Sequence, residues 1–183
     1  VVLKNQNVFV SSDSGEIALF RPTGERIAKW RSSWSPLFAD LHKDGELVVG
    51  SDGATLTVWD PDERRCLCRY RPGARIYSVR VVPHSEKVVM RTEASVAVFD
   101  LTSGRIVRSF HTLPGLPYID ASFDGTKILT GEGKGSVVYS MDGERLATIA
   151  GESARIVTAR FDKSEKTVHV GDSNGQLTSL VLD

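Results

Sequence analysis

Apolar positions in this chain come in short alternating bursts, and each burst is closed by Gly, Pro, Asp, Asn or Ser. One stretch serves as the pattern for the rest. Ile76 to Val82 predicts a strand, Pro83-His84-Ser85-Glu86-Lys87 a turn, and Val88 to Arg91 a second strand. Ser95 to Asp100 predicts a third strand, Leu101 to Gly104 a turn, and Arg105 to Phe110 a fourth strand. The segments are rich in Val, Ile, Tyr and Phe, which suit a pleated and half-buried surface. No window of about 11 residues keeps apolar side chains at helical spacing without a Gly or Pro breaking it, so helix is nearly absent from the reading.

The four-strand pattern recurs. A small residue, a polar residue and an apolar anchor open the third strand at Gly15-Glu16-Ile17, Ala54-Thr55-Leu56, Ala94-Ser95-Val96, Gly135-Ser136-Val137 and Gly175-Gln176-Leu177. The anchors lie 39, 40, 41 and 40 residues apart. The first turn recurs as His42-Lys43-Asp44-Gly45-Glu46, Asp124-Gly125-Thr126-Lys127 and Asp162-Lys163-Ser164-Glu165-Lys166, where Asp-Gly supplies the positive φ of a narrow hairpin. Four short strands every 40 or so residues match the blade of a β-propeller, and they exclude an immunoglobulin-like sandwich, which lacks that period. The expectation is an all-β chain: a partial blade at 1–31, blades at 32–71, 72–112 and 113–152, and a partial blade at 153–183. Val1-Val2-Leu3 reads as the tail of an inner strand, and Leu177 to Asp183 as a third strand without its outer partner. The chain opens on Val1 with no secretory leader pattern before Asn5, and it is expected to be an incomplete part of a larger propeller.

The third-strand ends Val58-Trp59-Asp60 and Val98-Phe99-Asp100, followed by Pro61-Asp62-Glu63 and Leu101-Thr102-Ser103-Gly104-Arg105, resemble the WD-repeat propeller family over essentially the whole chain. Arg71-Pro72-Gly73-Ala74, Leu113-Pro114-Gly115-Leu116 and Gly151-Glu152-Ser153-Ala154 stand where such repeats usually open with Gly-His. The resemblance implies a non-catalytic platform on which subunits of a larger eukaryotic multiprotein complex meet. A second likeness is to quinoprotein-like propellers, through Val8 to Gly15 with Thr23 to Trp30, where a Trp docks blades together. That likeness implies a periplasmic scaffold or enzyme as the alternative, and an RNA-associated WD-repeat subunit is a further one.

Composition adds little beyond this. Lys plus Arg and Asp plus Glu each number 23, which removes any bulk electrostatic pull toward nucleic acid or membrane. The apolar runs are too short and too often interrupted by charge to insert into a membrane as helices. Cys66 and Cys68 are the only cysteines; two apart on one strand, they share a face and cannot easily bridge. This points to a reducing, intracellular setting, cytoplasmic or nuclear.

Catalytic signatures are missing from the sequence. His42, His84, His111 and His169 each lack a second His or Cys within four residues, so no metal site is expected. There is no Gly-x-Ser-x-Gly elbow and no phosphate loop, and Gly131-Glu132-Gly133-Lys134-Gly135 joins two strands and reads as a hairpin. Neither catalytic residues nor a cofactor is expected. One stretch departs from neutrality. From Arg64 to Arg80 there are six arginines and no acidic residue, interleaved with Tyr70 and Tyr77. Such a run suits an acidic protein surface or RNA, while on an outer strand it also serves to block accidental sheet extension. Arg75 and Arg155 lie 80 residues apart, two periods, and are expected at equivalent places on one face, with Tyr118 between them. Arg69, Arg71, Arg75, Tyr77, Tyr118 and Arg155 are therefore the candidate partner-binding residues.

Overall fold

The computed structural model describes residues 2–3, 5–12, 14–31, 38–42, 46–151 and 154–182. The central residues 43–45 of one expected turn, residues 152–153 of the last expected blade junction, and Val1 lie outside the described residues. The described residues form strands, turns and bends with no helix, arranged as five antiparallel sheets of three or four strands. The chain divides into two compact units, Val1–Val79 and Arg80–Asp183.

The first unit holds two sheets. β1 (Val8–Ser11), β2 (Glu16–Phe20) and β3 (Arg26–Arg31) form the first, with Val2 bridged to Val8. β4 (Phe38–His42), β5 (Leu47–Ser51), β6 (Leu56–Asp60) and β7 (Arg65–Tyr70) form the second. Alternate residues from each sheet meet in one core: Leu3, Phe9, Ile17 and Leu19 from the first side, Val48 and Trp59 from the other. Trp30 stacks on Trp59 at 5.2 Å between ring centres, and Phe9 meets Trp59 edge-on at 5.7 Å.

The second unit contains nearly all of three sheets. β8 (Ser78–Val81), which starts at the division, runs with β9 (Lys87–Arg91), β10 (Ser95–Asp100) and β11 (Arg105–His111). β12 (Ile119–Ala121), β13 (Lys127–Glu132), β14 (Gly135–Ser140) and β15 (Arg145–Ile149) follow, then β16 (Ile156–Phe161), β17 (Thr167–Asp172) and β18 (Leu177–Val181). The middle sheet of this unit packs on both faces, because neighbouring residues of a strand point opposite ways. Ile128 and Val137 join Val82, Val89, Val96 and Val98 on one side, whereas Leu129 and Val138 join Ile156, Ala159, Val168 and Val170 on the other.

Two local features depart from the expected pattern. The strand expected over Ile76 to Val82 runs only over Ser78–Val81, and Ile76 N–H donates to Gly53 O at 2.8 Å. The positive φ of the first turn falls on Gly125 (+70°) as expected, but its counterparts place it on Glu165 (+60°) and, one residue earlier in the turn, on His84 (+54°).

The last strands of the first four sheets, β3, β7, β11 and β15, are edge strands and share a device. Each begins with Arg (26, 65, 105, 145) and then bulges by one residue. The extra residues are Ile27, Leu67, Val107 and Leu146, all 42–52% exposed. A bulge beside a charge breaks the flat edge that another strand would need for pairing. Edge protection therefore accounts for Arg65 of the arginine run.

Candidate interaction surface

In the first unit the fold sorts the arginine run. Arg64 lies over the Trp30 ring at 5.5 Å, and Arg65 pairs with Glu63. Arg69, on the edge strand β7, places Nε 3.4 Å from Cys66 Sγ. Arg71 is exposed in the loop that follows, where Gly73 adopts φ +78° with open space around it. Arg75 is exposed and stacks on the Tyr77 ring at 5.2 Å. Among the described residues, Arg69, Arg71 and Arg75 have no carboxylate partner. The two cysteines are free and half-buried; burial pushes the Cys68 thiol above its ordinary pKa, and the neighbouring Cys66 adds to the shift.

Arg80, the last of the run, belongs to the second unit and is committed to Asp120. Asp120 Oδ1 lies 3.0 Å from Arg80 Nε and 3.0 Å from Arg160 Nη1, while Oδ2 accepts the Phe161 N–H at 3.0 Å. Three sheets thus meet on one carboxylate. The residues stand at 80, 120 and 160, with Asp40 one period earlier, so Asp and Arg alternate at a fixed place in the repeat.

Tyr118 and Arg155 are also in the second unit. The Tyr118 hydroxyl lies 2.6 Å from Ser136 Oγ and donates to Gly135 O at 3.3 Å, and its ring fills the space above Gly131, where a Cβ would come within 2.9 Å of it. Burial raises the Tyr118 pKa, opposed by the Ser136 hydrogen bond and by the Arg155 charge. The Tyr118 hydroxyl is thus engaged by Ser136 and Gly135. Arg155 is exposed, and its carbonyl accepts the Ser173 N–H at 2.8 Å. The equivalence expected for Arg75 and Arg155 holds for the backbone: Ile156 N–H donates to Lys134 O at 2.8 Å, as Ile76 does to Gly53.

A buried polar network in the second unit went unread in the sequence. Arg91 is fully buried and donates from Nη1 to the Thr112 hydroxyl and to Ser95 O at 3.2 Å, and from Nη2 to Leu113 O at 3.0 Å. Burial lowers its pKa, against the raising influence of Glu132. Glu132 Oε1 accepts the Leu113 N–H at 3.0 Å and the Tyr139 hydroxyl, and its Oε2 lies 3.3 Å from Arg145 Nη2. The Tyr139 pKa is pushed up to about 12, by burial first and then by the Glu132 carboxylate. The one available signal was a charge, Arg91, closing the apolar run Val88-Val89-Met90.

The histidines stay apart in their chemistry. His84 meets Phe123 edge-on at 4.7 Å, and His169 Nδ1 lies 2.8 Å from Ser179 Oγ. Among the described residues no three His, Cys, Asp or Glu side chains converge as metal ligands would, and no helix is long and apolar enough to cross a membrane. No protein-family model matches the chain.

Proposed function

We propose that this chain is a segment of a WD-repeat-like β-propeller that acts as a non-catalytic scaffold in an intracellular multi-subunit assembly, and that it docks an acidic protein surface on Arg69, Arg71 and Arg75. The propeller reading is supported by the 40-residue period and by sheets that stack through both faces, as in the second unit. One observation carries the docking reading: three exposed arginines, Arg69, Arg71 and Arg75, have no carboxylate partner among the described residues, although the chain as a whole is neutral. Unpaired arginines retain their full field and their planar hydrogen-bonding fork, which match carboxylates.

Capture of partners on the immobilised chain, followed by mass spectrometry, tests the proposal. Arg71→Glu/Arg75→Glu should lose the captured proteins while keeping the parent urea midpoint. Capture that survives the double substitution would sink the docking site, and capture abolished by nuclease would replace the acidic protein with RNA.

A further inference from the structure

Cys66 and Cys68 stand on either side of the bulge in β7. Cys66 pairs with Trp59 and Cys68 with Val58, so Leu67 between them is the extra residue, and it is exposed. Both cysteines lie on the half-buried side of the strand, with Arg65, Leu67 and Arg69 on the exposed side. A regular strand spaces alternate Cα atoms roughly 6.6 Å apart, close to the outer limit of about 6.8 Å for a disulfide. That spacing is the reason two such thiols do not easily bridge. The bulge changes it: two steps of β7 match one step of β6, so the strand bends and contracts between the two cysteines. The contacts agree. Cys66 Sγ lies 3.4 Å from Cys68 O, and the Cys66 sulfur is near enough to add to the burial that raises the Cys68 pKa.

A cation serves the same sulfur, since Arg69 Nε is 3.4 Å from Cys66 Sγ. The matching bulges are flanked by Arg26 and Ala28 in β3, Ile106 and Arg108 in β11, and Arg145 and Ala147 in β15. Only in β7 can the two flanking side chains bond to each other. The strand is also an edge, so no further strand of its sheet shields it.

We propose that Cys66 and Cys68 form a peroxide-reactive dithiol that closes reversibly into a disulfide within β7. Cys66 reacts first. Its sulfur, having released its proton to water, takes one oxygen of hydrogen peroxide as the O–O bond breaks, and the departing hydroxide recovers a proton as water. The Arg69 Nε–H is placed to donate to the oxygen now carried by that sulfur. Burial holds the Cys68 thiol protonated to higher pH, so it acts second. Its thiolate attacks the Cys66 sulfur, the S–S bond forms, the S–O bond breaks, and a second water leaves. The two thiols give up two electrons and the peroxide takes both. Transient disulfides of this kind are the ones that reducing compartments hold, and thiol exchange restores the dithiol.

Mass spectrometry of the full chain after equimolar hydrogen peroxide tests it. The chain should stay monomeric, lose two hydrogens, and regain them with a dithiol reductant. The loss should map to the tryptic peptide Cys66–Arg69, which holds both sulfurs. Cys68→Ser should stop at one added oxygen on Cys66 that dimedone captures, and Arg69→Gln should slow the reaction about threefold or more. The parent unfolded in urea should close more slowly than the folded chain, because the bulge is gone. Disulfides between chains, or no loss of hydrogen from the folded parent, would overturn the proposal whether or not the variants fold. So would closure as fast in urea as in the fold, or parent-like peroxide consumption by Cys66→Ser or Arg69→Gln.

Discussion

Asp120→Asn is the sharpest probe of what holds the second unit together. The change conserves shape but removes the charge that Arg80 and Arg160 share, and the new amide must turn its NH2 either toward the two guanidinium groups or toward the Phe161 N–H. A donor is left facing a donor in both orientations. The Arg80 side chain is 24% exposed, so its ion-pair contact is largely withdrawn from water; that of Arg160 is 51% exposed and water replaces most of what it loses. Losing one mostly buried ion-pair contact costs about 2 kcal/mol, and the stranded N–H adds about 1 kcal/mol, for roughly 3 kcal/mol together. At a slope of about 2 kcal/mol per molar urea, the midpoint falls by about 1.5 M. Asp142→Asn is the control: its Arg108 contact is equally short at 2.9 Å, but the side chains are 81% and 53% exposed, so the loss should stay below about 0.5 kcal/mol. Trp30 and Trp59 pack together in the first unit and residues 80–183 contain no tryptophan, so tryptophan fluorescence does not follow the second unit, whereas circular dichroism follows all the strands. The dichroism transition should shift. Equal midpoints for the two variants, or a shift under about 0.3 M for Asp120→Asn, would refute the assignment of a clamping role to this carboxylate.

Other outcomes follow from the same contacts. Burial alone would raise the Asp124 pKa, but hydrogen bonds from Ser122 and from the Thr126 N–H and hydroxyl overcome it and hold the carboxyl well below its ordinary range. A carboxyl depressed on folding stabilises above its unfolded pKa, near 4, and that stability is lost as pH falls through the folded value; Asp124→Asn should therefore flatten the drop in urea midpoint between mildly and strongly acidic pH, and an unchanged slope would contradict this. Tyr139 should ionise near pH 12 in an alkaline absorbance titration, and Tyr139→Phe should remove that phase at a cost of about 1–2 kcal/mol. Because its folded pKa is raised, the contribution of Tyr139 is complete below about pH 10 and lost as pH climbs through 12. Gly131→Ala puts a methyl 2.2 Å from Leu116 O, so it should destabilise by about 1–3 kcal/mol and loosen amide-exchange protection at Gly133, whose N–H bonds to Pro114. A parent-like exchange pattern would show that the loop yields without strain.

The sequence determined the local architecture because period-two alternation and turn chemistry act over a few residues. Ser95 to Asp100 emerged as a strand with the very ends read from its pattern, and the 40-residue period placed five sheets in order. The two sides of β13 were legible too, since Ile128 and Leu129 must face opposite ways. What the chain alone could not settle was which charges meet. Six arginines looked alike in the run from Arg64, and only packing against Glu63 and Asp120 separated Arg65 and Arg80 from the four left without carboxylates among the described residues, of which Arg64 lies over Trp30 and Arg75 over Tyr77. Nor could the chain alone show that Ser136, 18 positions away, engages the Tyr118 hydroxyl. Arg91 and Glu132 hold Leu113 from 22 and 19 residues away in sequence. Such pairings depend on which faces of neighbouring sheets come together, and burial then decides their energy. Neither quantity is a property of a short stretch of chain, so they belong to the tertiary structure.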